Sequence, residues 1–266
     1  MTANTTARDR ETGATRRRVR LLNVEVDDIT MDELVESFRE GLLLTLHVDM
    51  IMKLQRDREF HGMLRHFDVV TCDSQILLAA SRVLGTPLRE RVSGSDFFPR
   101  FYAKHKDDPG VTVFICGGDE GVAAAARDNV NARVGRRMVV GVCSPPFDFD
   151  RDPRETERML AAINASRASV LVVGLGAGRQ EKFIVRNRER MPEVKLFLPL
   201  GGTIDYEART LARPASWITD AGLEWLYRLV REPRKRWRRY LVHQPPVLYH
   251  LLRQRLGLYR DPFSPR

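Results

Sequence analysis

The stretch from Val170 to Ile184, VLVVGLGAGRQEKFI, restricts the fold more than any other part of this chain. It opens with four apolar residues, three of them β-branched, which read as a buried parallel strand. Gly174, Gly176 and Gly178 alternate through the turn that follows, and Phe183 and Ile184 begin a helical pattern. Strand, glycine turn and helix start form one end of a βαβ unit, and open α/β sheets bind ligands at the carboxyl ends of their strands. Glycine lets backbone approach a ligand, a helix N-terminus offers unpaired N–H groups to an anion, and Gln180 adds an amide that donates and accepts at once. Taken alone, the turn fits equally well a tight βα connection with a solvated first helical turn.

The rest of the chain repeats this alternation. Val19 to Val26 reads as a first strand, and Thr30-Met-Asp-Glu33 is a capping box that opens a helix to about Gly41. Leu43 to Val48 is a strand carrying Thr45 and His47, followed by a helical stretch from Asp49 to His66. Phe67 to Cys72 is a strand ending in Asp73-Ser74, Gln75 to Leu84 an apolar helix, and Gly85 to Gly94 a polar loop containing Arg91. Val111 to Cys116 runs into Gly117-Gly118 and an Ala-rich helix, and Met138 to Cys143 stops at Pro145-Pro146. Pro153 to Ser166 is helical, the Val170 unit continues to Arg190, and the strand Val194 to Pro199 ends in a third glycine turn, Gly201 to Asp205. This order predicts an α/β fold, a Rossmann-like parallel sheet with helices on both faces.

Charge divides the chain differently. Residues 225–260 hold ten Lys and Arg against the single acid Glu232, and residues 1–20 hold six Arg against Asp9 and Glu11. Those two windows exceed the net +9 of the whole chain, so the rest is slightly acidic. The division predicts a disordered basic arm over 1–18, a core over 19–214, and a basic helical appendage over 215–266 that includes GLEWLYRL and RKRWRRY. A localised basic face attracts nucleic acid, anionic lipid or a polyanionic substrate. No apolar run approaches the roughly 18 residues of a membrane span, and no secretory leader is expected. Cys72, Cys116 and Cys143 each sit in an apolar strand-like run without metal-ligand spacing, as reduced thiols of a cytoplasmic protein do.

Several polar residues fall at strand ends, namely Thr45, Asp73, Gln180 and Asp205, and Arg91 lies on a loop. In a doubly wound sheet these places converge on one crevice, where a carboxylate can act as general base. Each also has a plain structural reading. Asp73 could cap the next helix, Asp205 could bind its own turn, and His47 could be a packed or backbone-bonded histidine. Asp148 and Asp150 could hold a divalent metal, but acids at a helix start explain them as well. No metal site and no cofactor are expected.

In chain order, TLHVDM, VVTCDS, RERVSG, VFICGGDEGVA, VGLGAGRQE, PLGGTIDY, RPASW and GLEWLYRL with EPRKRWRRY together resemble the TagA/WecG/CpsF family of bacterial glycosyltransferases, the N-acetylmannosaminyltransferase type. The resemblance runs from about Val19 to Tyr240. It implies a Rossmann-like core with a basic C-terminal appendage. It also implies inverting, metal-independent transfer from a UDP-sugar to a hydroxyl of a polyprenyl-diphosphate-linked sugar, early in teichoic acid or surface polysaccharide synthesis. Carried over by position, Asp73 falls on the catalytic base. Thr45, His47, Arg91, Gln180 and Asp205 fall at or beside substrate-binding positions, and Arg228, Arg234 and Arg238 fall among appendage arginines that meet the diphosphate. Gly117, Gly118, Gly174 and Gly176, with Gln180 and Glu181, are the expected nucleotide-binding positions. The chain departs from the family's usual pattern in three places. His47 replaces Asn, Ser74 replaces Gly, and Gly178-Arg179 replaces Pro-Lys before Gln180-Glu181.

The residue types suit this chemistry. Asp73 can take the acceptor's proton, and arginine forks with helix N-termini can stabilise the leaving UDP without a metal. The basic, aromatic appendage can rest on an anionic membrane surface, which places the protein on the cytoplasmic face, and the reading leaves room for a homo-oligomer. Two other classes compete. A nucleic-acid-binding protein would use the Arg and aromatic tail, but the rest of the chain is slightly acidic and carries no nucleic-acid motif. A dinucleotide-dependent oxidoreductase would use the glycine turns, none of which has the full GxGxxG spacing.

Overall fold

The structure, a computed structural model, describes residues 16–212, 218, 223–231, 233–238, 242 and 244–264, with the side chains of 224, 225, 228, 235 and 236 excepted. The first element is a hairpin. Strands β1 (Arg18–Leu21) and β2 (Val24–Asp27) pair antiparallel through Leu22 and Asn23. The run predicted as one strand is therefore folded back on itself, with Leu22 at a positive φ of 55° and Val19, Leu21, Val24 and Val26 all buried. Arg17 and Arg18 pair with Asp28 and Asp27 at 3.2 and 3.1 Å, so residues 16–18 belong to the folded body. The rest of the expected arm, 1–15, lies outside the described residues.

The main sheet has six parallel strands. They are β3 (Gly41–Leu46), β4 (Val69–Cys72), β5 (Val113–Gly117), β6 (Val139–Cys143), β7 (Val170–Gly174) and β8 (Leu196–Pro199), in the order β4-β3-β8-β7-β5-β6. Apart from β6, whose residues after Val139 are partly exposed, these strands are buried apolar runs, as expected when helices cover both faces of a sheet. Against one face pack α2 (Val48–Leu54), α4 (Gln75–Val83), α7 (Pro153–Ser166), α8 (Arg179–Asn187) and the hairpin, together with α3 (Arg58–Gly62). Against the other pack α1 (Met31–Ser37), α5 (Gly94–Lys104), α6 (Val122–Val134) and α9 (Gly201–Glu207). The predicted capping box opens α1, with Thr30 and Glu33 bonding each other's backbone N–H groups.

Other elements differ from the sequence pattern, among them the stretch Asp49 to His66, which is divided into α2, α3 and a 3-10 turn at Met63–His66. No helix is predicted between Gly94 and Val111, yet α5 forms there despite an internal Pro99, because Phe97, Phe98, Phe101 and Tyr102 bury one aromatic face against the sheet. Gly201 to Asp205, predicted as a turn, is instead the start of α9. Its glycines serve close packing. A Cβ on Gly174 would lie 3.2 Å from the Gly201 Cα, so β7 and α9 approach backbone to backbone.

Connectivity places the crevice. β5 and β7 lie side by side, but β5 continues to β6 on one side and β7 continues to β8 on the other. Their following helices, α6 and α8, accordingly cover opposite faces. This is a topological switch point, the place where doubly wound sheets bind ligands. Gly117 and Gly174 are register partners at its floor, and any side chain on Gly117, at φ 125°, would collide with the Gly174 carbonyl.

Beyond the core come α10 (Glu224–Arg231), α11 (Pro233–Arg238) and α12 (Pro246–Arg255). The expected boundary near 214 lies outside the described residues. Helix α12 returns to the core, where Val247 and Leu251 are buried in the same apolar cluster as the hairpin and α2. The Gln254 carboxamide accepts from Leu22 N–H at 2.8 Å and donates to the Arg20 carbonyl at 2.9 Å, in effect extending the hairpin edge. Tyr259 donates to Gln55 at 2.5 Å, and Phe263 packs on the His61 ring at 5.1 Å.

Candidate active site

The carboxyl ends of the parallel strands surround a cleft of about 410 Å³. This lies within the range of small-molecule sites. Thr45, His47, Asp73, Arg91, Gln180 and Asp205 all line it, as do Gly118, Gly174 and Gly176. Gly117 and Glu181 do not. Gly117 shapes the floor from below, and Glu181 is fully buried behind Gln180. Arg234 and Arg238 are exposed on α11 and do not line the cleft, and the Arg228 side chain lies outside the described residues. Leu211 and Gln244 also line it.

Asp73 follows directly on β4. Helix α4 is capped by Ser74, whose hydroxyl accepts from Leu77 N–H, so Asp73 is not the cap. Instead its carboxylate accepts from Arg91 at 3.0 Å, while the same guanidinium reaches Asp96 at 3.1 Å. The fork of Arg91, mostly buried, thus holds two carboxylates in fixed directions, with Asp73 the more enclosed of the two. Asp96 was not among the predicted residues. Ser93-Gly-Ser-Asp96 has the spacing of a capping sequence, which was the available signal for a helix start and an acid beside Arg91. Just before Asp73, burial pushes the Cys72 thiol up to about 12, so this sulfur stays protonated and is no nucleophile.

His47 caps α2, its Nδ1 accepting from Met50 N–H at 3.2 Å. The backbone-bonded reading of this histidine is therefore right, and it lines the cleft as well. Asp150 is closed bidentately by Arg179, with contacts of 2.9 and 2.6 Å, and Asp152 caps α7. Among the described residues, no group of three or more His, Cys, Asp or Glu is arranged to hold a metal ion.

Gln180 is buried at the cleft wall. Its Nε2 donates to the Pro199 carbonyl at 3.0 Å and to Glu181 Oε1 at 2.8 Å, while its Oε1 has no hydrogen-bond partner among the described residues. Burial pushes the Glu181 carboxyl up to about 7, against the opposing pull of its bonds from Gln180 and Gly178 and of the Lys53 charge. Gly176 and Gly178, at φ 91° and 88°, make the turn that brings this helix start to the ligand side.

A switch-point cleft with glycine turns, a buried unpartnered amide oxygen and a carboxylate held by a guanidinium have the form of a Rossmann-like enzyme site. The sequence profile described as the Glycosyl transferase WecG/TagA/CpsF family matches residues 19–261, and the chain belongs to that family of glycosyltransferases. It is also similar to the N-acetylglucosaminyldiphosphoundecaprenol N-acetyl-beta-D-mannosaminyltransferase of Bacillus spizizenii (strain ATCC 23059 / NRRL B-14472 / W23), with 27% identity over 207 residues, 78% of this chain and 77% of that protein.

Proposed function

We propose that the cleft transfers an N-acetylmannosamine-like sugar from a UDP-sugar to a hydroxyl of a polyprenyl-diphosphate-linked sugar, in the synthesis of a cell-wall or surface polysaccharide. The observation that carries this reading is the Asp73–Arg91–Asp96 arrangement facing Thr45, Gln180 and Asp205 across one cleft. The similar Bacillus enzyme is named for an acceptor and a transferred sugar of this kind.

In this mechanism Asp73 takes the proton of the acceptor hydroxyl as its oxygen attacks the anomeric carbon from the face opposite UDP, inverting the configuration. Thr45, His47, Gln180 and Asp205 hold the sugars. Gly118, Gly174 and Gly176 let the diphosphate approach the N-termini of α6 and α8, and Gly117 supports them from the floor. Charge on the leaving UDP is met by arginines rather than a metal, with Arg228, Arg234 and Arg238 supplied by the segment between Leu211 and Gln244. Leu211 and Gln244, which flank that segment, both line the cleft, which supports its closing over bound substrate.

The same reading places the protein on the cytoplasmic face of the membrane. No described helix is long and apolar enough to cross a bilayer. Helix α12 and its continuation instead expose Leu248, Tyr249, Leu252, Leu256 and Leu258 beside Arg253, Arg255 and Arg260, which suits an anionic lipid surface. Self-association of the protein there is compatible with the same proposal.

The test is a panel of UDP-sugars with a short-chain lipid-diphosphate N-acetylglucosamine acceptor, read by mass spectrometry of the product and NMR of the new anomeric centre. Transfer with inversion in excess EDTA supports the proposal. Retention of configuration, or an absolute need for added divalent metal, overturns the mechanism, and absence of transfer from every UDP-sugar overturns the donor class.

A further inference from the structure

Two adjacent residues at the start of α8 face different ways. Gln180 lines the cleft, whereas Glu181 is fully buried and is not itself part of the cleft lining. Glu181 Oε2 accepts from Gly178 N–H at 2.5 Å, closing the first turn of its own helix, and Oε1 accepts from Gln180 Nε2 at 2.8 Å. The second N–H of the Gln180 amide is taken by the Pro199 carbonyl at 3.0 Å. Turning the amide over would set its oxygen against two acceptors, so the hydrogen-bond pattern itself fixes the assignment. With both N–H groups engaged, Oε1 is buried beside Gly201 of the cleft lining and has no partner among the described residues. Gly201 leaves room for it, since a Cβ there would stand 3.3 Å from that oxygen.

We infer that Glu181 is a positioning residue that decides which end of the Gln180 carboxamide faces the cleft, and that the substrate group met there donates a hydrogen bond. A sugar hydroxyl or an amide N–H has that chemistry. While Glu181 is ionised it accepts twice, and Gln180 presents oxygen. A proton on Glu181 removes one acceptor and creates a donor. The carboxamide then gains by turning its oxygen toward Glu181, at the loss of the bond to Pro199, and presents N–H to the cleft instead. Burial raises the Glu181 carboxyl to about 7, which puts this change in the neutral range.

The charged groups around it favour the ionised form or are occupied elsewhere. Lys53 of α2 acts on Glu181 through its charge, while its ammonium donates to the Ala177 carbonyl at 2.9 Å and lies 3.5 Å from Asp49. Lys182 of α8 is bound to Asp57 and Glu59 at 2.7 and 3.0 Å. On the remaining side, β8 ends in the apolar run Leu196 to Pro199.

The first arm of the test needs no substrate. In full-length protein labelled with 15N-glutamine, the Gln180 carboxamide signal, assigned by its loss in Gln180→Ala, is followed from about pH 5.5 to 8.5, bracketing the titration of a carboxyl near neutrality. We expect a shift with a midpoint near the value of about 7 for Glu181, and none in Glu181→Gln. A flat wild-type signal, or the same titration in Glu181→Gln, overturns the inference. This arm is independent of the function proposed above.

The second arm rests on that function and uses UDP-N-acetylmannosamine with the short-chain acceptor. Glu181→Gln is expected to raise KM for one of the two substrates about tenfold, the worth of one hydrogen bond, with kcat little changed. Adding Gln180→Ala to it should cost nothing further, because both changes remove the same contact. Additive losses, or a loss confined to kcat, overturn the inference. An inactive wild type with a titrating Gln180 signal would instead count against the proposed reaction and leave the positioning role standing.

Discussion

Replacing Asp73 by Asn separates the catalytic from the structural reading of this residue. Three structural costs can be assessed. The cap of α4 is untouched, because Ser74 supplies it. The Asn side-chain oxygen can still accept from Arg91, and Arg91 keeps its second partner, Asp96, at 3.1 Å. Only the charge of one partly exposed pair is lost, which costs about 1 kcal/mol. For a chain of this size that is a fall in melting temperature of about 2–4 °C. Losing a general base costs about two to four orders of magnitude in rate, or about 3–5 kcal/mol of barrier. The two effects are far enough apart to be told from one sample. Calorimetry or a thermal melt reads the first, and single-turnover transfer to the lipid-diphosphate acceptor reads the second. Transfer near the wild-type rate would refute Asp73 as base, and a rate loss matched by collapse of the fold would show that the residue is structural. Arg91→Ala should behave differently, since it leaves Asp73 and Asp96 beside each other without their shared cation, so stability and transfer should fall together.

Ser74→Ala should lower stability by about 1 kcal/mol through loss of the α4 cap, read by denaturant unfolding. Leu251→Ala should cost about 2–4 kcal/mol because it opens the core beneath the hairpin. Leu252→Asp, at a position 58% exposed, should leave stability nearly unchanged and reduce sedimentation with anionic vesicles. Glu181 ties stability to pH with the opposite sign to a salt-bridged acid. Its folded value of about 7 lies above the ordinary 4.5, so its contribution is fully present below about pH 4.5 and is lost as pH rises through 7. The total is about 3 kcal/mol. Unfolding curves of wild type and Glu181→Gln should therefore differ in their pH dependence across that window, and parallel curves would refute the raised value.

The sheet was legible because its strands are largely apolar runs, the pattern of buried parallel strands, and several end at glycine or proline. The cleft was legible for the same reason, since residues at or soon after the carboxyl ends of such strands converge at one edge, as Thr45, Asp73 and Gln180 do. Helix α5 was not, because Gly94 and Pro99 are poor helix formers and only tertiary burial of four aromatic side chains outweighs them. With α5 went Asp96, the second carboxylate on Arg91. The fold-back at Leu22-Asn23 was hidden because the run is short and apolar residues recur along both of its halves, where Val19, Leu21, Val24 and Val26 are all buried. The role of Ser74 was hidden by its neighbour, as either Asp73 or Ser74 could cap α4 and only the structure shows which one turns toward the helix.

That choice of cap links the departures from the family pattern to the chemistry. With Ser74 binding the end of α4, the Asp73 carboxylate is directed to Arg91 and the cleft instead of to its own helix. His47 plays the corresponding part on β3, binding the first turn of α2 while standing in the cleft wall. On β7 the helix is closed from within, by Glu181 reaching back to Gly178, and that leaves Gln180 to face the ligand. In all three places one side chain satisfies the open N-terminus of a helix, which would otherwise draw in the nearest polar group. Where the cap and the cleft residue are neighbours, as at Asp73-Ser74 and Gln180-Glu181, a substitution at the cap is expected, on the proposed function, to alter transfer through the direction of its neighbour as well as to cost stability. On the proposed function, the departures from the family pattern at Ser74 and Gly178 are therefore expected to act on how Asp73 and Gln180 are aimed.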